Sequence, residues 1–280
     1  MRTTLGARPG LTVIGNLAVD SVNGGEPSAG GCPSFAAAAF AALEVPGRIV
    51  TKHAPADAAL FAPTLAAEGV PTTVLNAAVS SGFALDYEGE QRAMTVTAVG
   101  EPWTPGQLRR ARLDTTWVHL AALLRGEFPL ATIAALRAAG HLVSLDGQGL
   151  VRLARVGPMV TDADFDPAIL AHLAVLKLAD DEAEVVAGGR FTEATARRLG
   201  VPEILVTFGS AGADVYLDGR RTAVPAPERI DGVHTTGSGD MFIVTYAAAR
   251  SAGAGPLQAA AQACELVAGV LSRRRAGAAI

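Results

Sequence analysis

The feature that most constrains this chain is an alternation. Short apolar runs rich in β-branched residues, over 11–15, 48–51, 72–75, 116–120, 141–146, 173–178 and 204–208, are separated by longer alanine-rich runs. Those longer runs, over 33–43, 56–68, 104–112, 129–139, 181–187, 192–199, 239–252 and 256–274, carry a helical period. Strands separated by helices build parallel βαβ units, and strands that are apolar throughout suit a sheet covered on both faces. The expectation is a single α/β domain over 1–280, with a mostly parallel central sheet between two helical layers.

Two segments depart from the alternation. Residues 82–87 and 92–99 read as strands joined by a turn at Glu88-Gly89-Glu90-Gln91, a hairpin that has to project from an α/β core. The expectation is a small β lid formed mainly by about 76–100. A second hairpin, 213–217 with 220–224 around Asp218-Gly219, fits an antiparallel edge of the main sheet.

Composition excludes several classes. Half of the 280 residues are apolar, and 23 basic residues face 27 acidic ones. Outside Arg273-Arg274-Arg275, which suits the C-terminal end of a helix, no basic patch exists to hold nucleic acid. The two cysteines, Cys32 and Cys264, are far apart in apolar helical patterns and read as buried thiols, not as a disulfide or zinc site. No apolar run reaches membrane-spanning length without Gly, Pro or charge, and residues 1–10 have no signal-peptide pattern, so a cytoplasmic protein without membrane contact is expected.

The strongest local signal is Thr235-Thr236-Gly237-Ser238-Gly239-Asp240 ahead of an apolar helix. Glycines there permit close backbone approach, and a helix start presents unpaired N–H groups with a favourable dipole, which is an anion site. Asp240 in the first turn could accept a proton from an attacking hydroxyl beside a bound phosphate. The same residues also read as an ordinary glycine-rich cap with a dipole-matched Asp. Gly30-Gly31 before the first helix would let a ligand touch the backbone, and Asp20, just past the first strand, could bond substrate hydroxyls or simply form a turn.

Absences narrow the choice. The only lysines, Lys52 and Lys177, are not in GxxxxGK, which removes a P-loop enzyme. GxGxxG does not follow the first strand, HExxH and GxSxG are missing, and the five histidines lack metal-ligand spacing.

Five motifs in order resemble the ribokinase-like, or PfkB-type, carbohydrate kinases across nearly the whole chain. They are Gly15-Asn16-Leu17-Ala18-Val19-Asp20, Gly30-Gly31, the segment from Lys177 to Glu184, Val206-Thr207-Phe208-Gly209-Ser210-Ala211-Gly212, and Thr236 to Asp240. The resemblance implies in-line phosphoryl transfer from ATP with Mg²⁺ to a hydroxyl of a small sugar, polyol or nucleoside, by a monomer or homodimer. Asp240 would be the base, and the amides of Gly237, Ser238 and Gly239 would stabilise the transferring phosphoryl group. Asn16, Asp20, Gly30 and Gly31 would hold the acceptor. Lys177, Thr207, Gly209 and Gly212 would hold the nucleotide, and Glu182 would influence the metal through water.

The chain departs from the family's pattern at several points. His234 stands where many members have an Asp that helps hold a monovalent cation, so potassium dependence does not carry over. Ala179 replaces the Asn of Asn-x-x-Glu, and Phe35 replaces an acceptor-contacting Asn. The interval from Asp20 to Gly30 is short, which predicts a lid without its first hairpin. Leu145 to Arg152 is similar to a segment of inositol kinase-like members, so Gln148 and Arg152 could touch a polyol or the phosphates; alternatively Arg152 pairs with Asp146. Three other readings stay open: a nucleoside or aminocyclitol kinase on the same fold, a degenerate sugar- or nucleotide-binding protein, and a nicotinamide oxidoreductase disfavoured by the missing GxGxxG.

Overall fold

The computed structural model describes residues 8–67, 69–88, 91–233 and 235–277. His234 and the turn residues Gly89 and Glu90 lie outside the described residues. The elements run β1 (Arg8–Asn16), β2 (Ala18–Val22), β3 (Ser28–Gly30), α1 (Pro33–Leu43), β4 (Gly47–His53), α2 (Ala58–Ala67), β5 (Thr72–Asn76), β6 (Ser81–Glu88), β7 (Gln91–Ala98), α3 (Pro105–Ala111), β8 (Thr115–Leu120), α4 (Leu130–Ala138), β9 (Leu142–Asp146), α5 (Gln148–Val151), β10 (Gly157–Pro158), β11 (Val175–Ala179), α6 (Asp180–Ala187), α7 (Glu193–Leu199), β12 (Glu203–Thr207), β13 (Gly212–Leu217), β14 (Arg220–Pro225), α8 (Ser238–Ser251) and α9 (Pro256–Arg275).

Nine strands form the main sheet in the order β14-β13-β12-β11-β9-β8-β1-β4-β5. The pairs from β5 across to β12 are parallel, and β12-β13 and β13-β14 are antiparallel. The expected antiparallel edge is therefore present. Alternation along each strand divides the core. Leu11, Val13, Val175 and Leu205 pack with α1, α8 and α9 on one face. Ile14, Leu176, Leu178, Ile204 and Val206 pack with α3 to α7 on the other. This burial on both faces is why the strands read as continuous apolar runs.

The second sheet corrects an expectation. It has five strands in the order β10-β7-β6-β2-β3, so the first hairpin exists: Ala18 pairs with Gly30 and Asp20 with Ser28. The short interval suffices because β3 is three residues long. A glycine makes the pairing possible, since a Cβ on Gly30 would collide with the Asp20 carboxylate. The chain leaves β1 at Leu17 and enters the second sheet directly at β2, which pairs in parallel with β6. None of the described helices is long and apolar enough to cross a membrane.

Candidate active site

A cavity of about 510 Å³ opens at the carboxyl ends of the main strands, between that sheet and the lid sheet, where open α/β sheets hold ligands. Its floor begins at α8. Gly237 takes φ +77° as the residue before the helix. A side chain there would also strike the Phe35 ring, 2.6 Å from an added Cβ. The Ser238 amide turns back to the Thr235 carbonyl (2.9 Å), and Met241 N–H bonds the Gly237 carbonyl (2.9 Å). Among the described residues, the amides of Gly237, Gly239 and Asp240 have no acceptor. The unpaired amides at this helix start are thus those of Gly237, Gly239 and Asp240, while the Ser238 amide is engaged in the turn.

Lys177 lies beneath this helix start. Its neighbour across the β9–β11 ladder is Asp146, and the two side chains form a buried ion pair at 3.5 Å. Gly239 gives the lysine room, because a Cβ there would lie 2.9 Å from Nζ. Burial opposes the lysine's charge, but Asp146, Glu182 and Asp240 outweigh it and raise its pKa. Asp240 is recessed at the same point. Burial first, and then the Asp146 charge, push its carboxyl up to about 7, against Lys177, Arg152 and a hydrogen bond with Cys32. A carboxylate held near 7 is matched to a general base.

Gln148 and Arg152 both line the cavity. They hydrogen-bond each other, and Arg152 Nη2 reaches Glu182 Oε1 at 3.1 Å. Arg152 therefore pairs with Glu182, while Asp146 pairs with Lys177. Glu182 is buried, and its second oxygen accepts the Ala179 amide at the start of α6 (2.9 Å). Both of its oxygens are engaged. No group of three or more His, Cys, Asp or Glu able to hold a metal exists among the described residues. A Mg²⁺ ion, which takes few protein ligands, would therefore be held here mainly by the oxygens of a bound ligand.

Asp20 and Gly31 line the lid side, and Asp20 Oδ1 is buried without a partner. Burial raises its carboxyl to about 6. Asn16 sits apart from this group. It is buried, donates Nδ2 to the Glu101 carbonyl (3.3 Å), and does not line the cavity. Gly30 serves Asp20 from behind and is likewise not in the lining. From Thr207 and Gly239 a narrower apolar slot of about 60 Å³ continues past Gly209 and Gly212, between Phe242 and α9 residues Val267 and Leu271.

Residues 36–280 match the pfkB family carbohydrate kinase. The chain belongs to the pfkB family. Its fold is ribokinase-like: it superposes with TM-score 0.81 on a pyrophosphate-dependent kinase of the ribokinase family complexed with a pyrophosphate analog and myo-inositol, at 24% identity over 94% of this chain and 95% of the other. An Arabidopsis thaliana ribokinase complexed with ribose and ATP gives 0.68 at 23% identity over 91% and 90%. A Burkholderia thailandensis nucleoside kinase with inosine gives 0.69 at 20% identity over 92% and 90%. No curated protein matches the chain.

Sequence reading alone overlooked three contacts of this pfkB-family site. Cys32, read as a buried thiol, lies beside the Asp240 carboxyl; burial, helped by that charge, pushes the thiol's pKa up. Asp146, at the last position of β9, pairs with Lys177; its place at a strand's carboxyl end was the available signal. Tyr87 on β6 shares a hydrogen bond between hydroxyls with Thr236 of the anion loop, whose carbonyl is held by Arg274 of α9 (2.9 Å). Nothing in local spacing announces a contact between residues so far apart in the chain.

Proposed function

We propose that the protein transfers the terminal phosphoryl group of ATP to a hydroxyl of a small sugar, polyol or nucleoside, with Asp240 as the base. One observation carries this reading. A carboxyl raised to about 7 stands at the start of α8, among unpaired amides and a buried lysine, on the floor of a cavity. A plain helix cap needs none of that surrounding machinery.

Asp240 takes the proton of the acceptor hydroxyl as its oxygen forms the new bond to phosphorus and the bond to the departing phosphate oxygen breaks. The amides of Gly237 and Gly239, with the Lys177 ammonium, stabilise charge on the transferring group. When bound, Mg²⁺ offsets charge on the donor phosphates. Thr207, Gly209 and Gly212 border the slot that would take a nucleobase between apolar walls. Asp20 and Gly31, with Gln148 and Arg152, border the space that would hold the acceptor. The lid keeps water out. The inositol-like acceptor rests on the Leu145 to Arg152 segment and on the bound ligand of one structural neighbour. That neighbour also makes pyrophosphate the second donor to test, since the amides and Lys177 recognise phosphate and not base.

The test is phosphate transfer, followed by ³¹P NMR, from ATP or pyrophosphate to myo-inositol, ribose, hexoses and nucleosides, with Asp240→Asn as control. An acceptor-dependent product that the variant does not make supports the reading. Donor and acceptor binding without product in any pairing would leave a binding protein.

A further inference from the structure

The lid wall of the cavity is unlike its floor. In β6 and β7 successive side chains point to opposite sides, and those lining the cavity are Phe83, Leu85 and Tyr87 from β6 with Met94 from β7. Leu123 completes the wall, and Phe35 lines the cavity from the floor beside Gly237. Phe83, Leu85 and Leu123 belong to the lid's own hydrophobic cluster, with Tyr87 and Met94 packed against it. Among the described cavity-lining side chains of β6 and β7, the only hydrogen-bonding group is the Tyr87 hydroxyl, and that is bonded to Thr236. One cavity-lining carboxylate stands on the same sheet: Asp20 of β2 pairs in register with Phe83 of β6, and its buried Oδ1 has no partner. The charged lining comes from outside β6 and β7, including Asp240 and Lys177 at the floor, Arg152 beside Gln148, and Asp20 on β2.

An acceptor closed into this space has one edge facing charge and the other facing hydrocarbon. A hydroxyl pressed against Phe83, Leu85 and Met94 would lose its water and gain no partner. A methylene or methyl there would be favoured, and one such group in an apolar pocket changes discrimination by about 10–200-fold. Resting on the kinase reading above, we infer that the acceptor is an amphipathic ring alcohol. It presents hydroxyls along one edge to Asp20 and Asp240, and an O-alkyl, deoxy or flat aromatic edge to Phe83, Leu85 and Met94. A polyol hydroxylated around its whole rim fits this wall less well.

Two matched pairs test this: myo-inositol against its mono-O-methyl ethers, and ribose against inosine. Binding of each is measured by calorimetry to the Asp240→Asn variant, which does not depend on turnover. Transfer is measured with the wild type and either donor. The expected result is at least tenfold tighter binding of the apolar-edged member of a pair. Met94→Gln, close in size and at a half-buried position, should narrow that preference at least threefold and leave the KM of the donor unchanged. Equal or tighter binding of myo-inositol and ribose than of their partners overturns the inference, as does a preference that Met94→Gln leaves intact. Selective binding without transfer from either donor would keep the inference and remove the kinase reading. Transfer without the preference would do the reverse.

Discussion

The floor of the cavity and the wall opposite it contrast in what they present. At the floor, the end of β9, the body of β11 and the first turn of α8 bring Asp146, Lys177 and Asp240 together with unpaired amides. Across from them, β6 and β7 present Phe83, Leu85 and Met94. The floor groups are fixed by strand register and by a helix start in the main sheet, where the backbone is covered on both faces. The wall belongs to a separate five-stranded sheet. Chemistry that depends on charge placed to a fraction of an ångström needs the rigid part. Selection by shape and apolarity can be carried by the second sheet. The Tyr87–Thr236 bond is where the two regions touch through hydroxyls.

That contrast can be broken at the floor first. Gly239→Val puts a branched side chain where Lys177 Nζ lies 2.9 Å from an added Cβ. The expected loss in kcat is about 10²–10³-fold, the range for losing one preorganised donor, with acceptor affinity little changed. A kcat within threefold of wild type would mean that the phosphates bind elsewhere.

The pH profile sharpens the same side. Asp240 acts deprotonated and its carboxyl is raised to about 7 by burial and by Asp146, so kcat/KM should fall about tenfold per unit below that pH. Asp146→Asn removes the second of those causes and should move the acid limb to lower pH. A limb that moves up, or a flat profile from pH 5 to 8, would exclude Asp240 as the titrating base.

The lid gives a smaller effect. Tyr87→Phe removes the hydroxyl that reaches Thr236 and keeps the ring in the wall. Steady-state kinetics should show the acceptor KM raised by roughly 3–10-fold, as expected for one lost hydrogen bond, with kcat held within about twofold. A fall in kcat with KM unchanged would place Tyr87 in the chemistry and erase the division between the regions.

Smallest of all is a change outside the cavity. Glu127 is buried, and burial raises it to about 7 against the amides of Leu123, Asn16 and Leu124 and the charge of Lys52. Its folded pKa lies above its unfolded value. It therefore contributes stability below about 4.5 that is lost as the pH rises through about 7. The Tm of the wild type relative to Glu127→Gln should fall by roughly 2–4 °C over that window, with kcat unchanged. A Tm difference that grows as the pH rises would contradict the sign.

How much of this was legible in the sequence follows the same division. The main sheet was readable because both its faces are buried, so its strands stand out as apolar runs; the helices over 33–43 and 256–274 were placed within a residue at each end. The start of α8 was readable because a glycine suits the positive φ ahead of the helix and an Asp suits its first turn. The turn that engages the Ser238 amide was not, since a main-chain bond to Thr235 leaves no mark on side-chain identity. Lys177 was recognised, but its partner was not: the choice between Asp146 with Arg152 and Asp146 with Lys177 depends on the register of β9 against β11. Asn16 was assigned to the acceptor through the family resemblance, yet its side chain turns to the Glu101 carbonyl. The first lid hairpin was lost because a three-residue strand has too little pattern to detect.

The central claim is that Asp240 removes the acceptor proton and does not merely shape the cavity. Its most direct test is a single-turnover measurement of wild type and Asp240→Asn, each saturated with the donor and with an acceptor that binds both. The account predicts equal donor affinity in the two proteins and at least a 10³-fold slower transfer step in the variant. Transfer within tenfold of wild type at equal occupancy would contradict it.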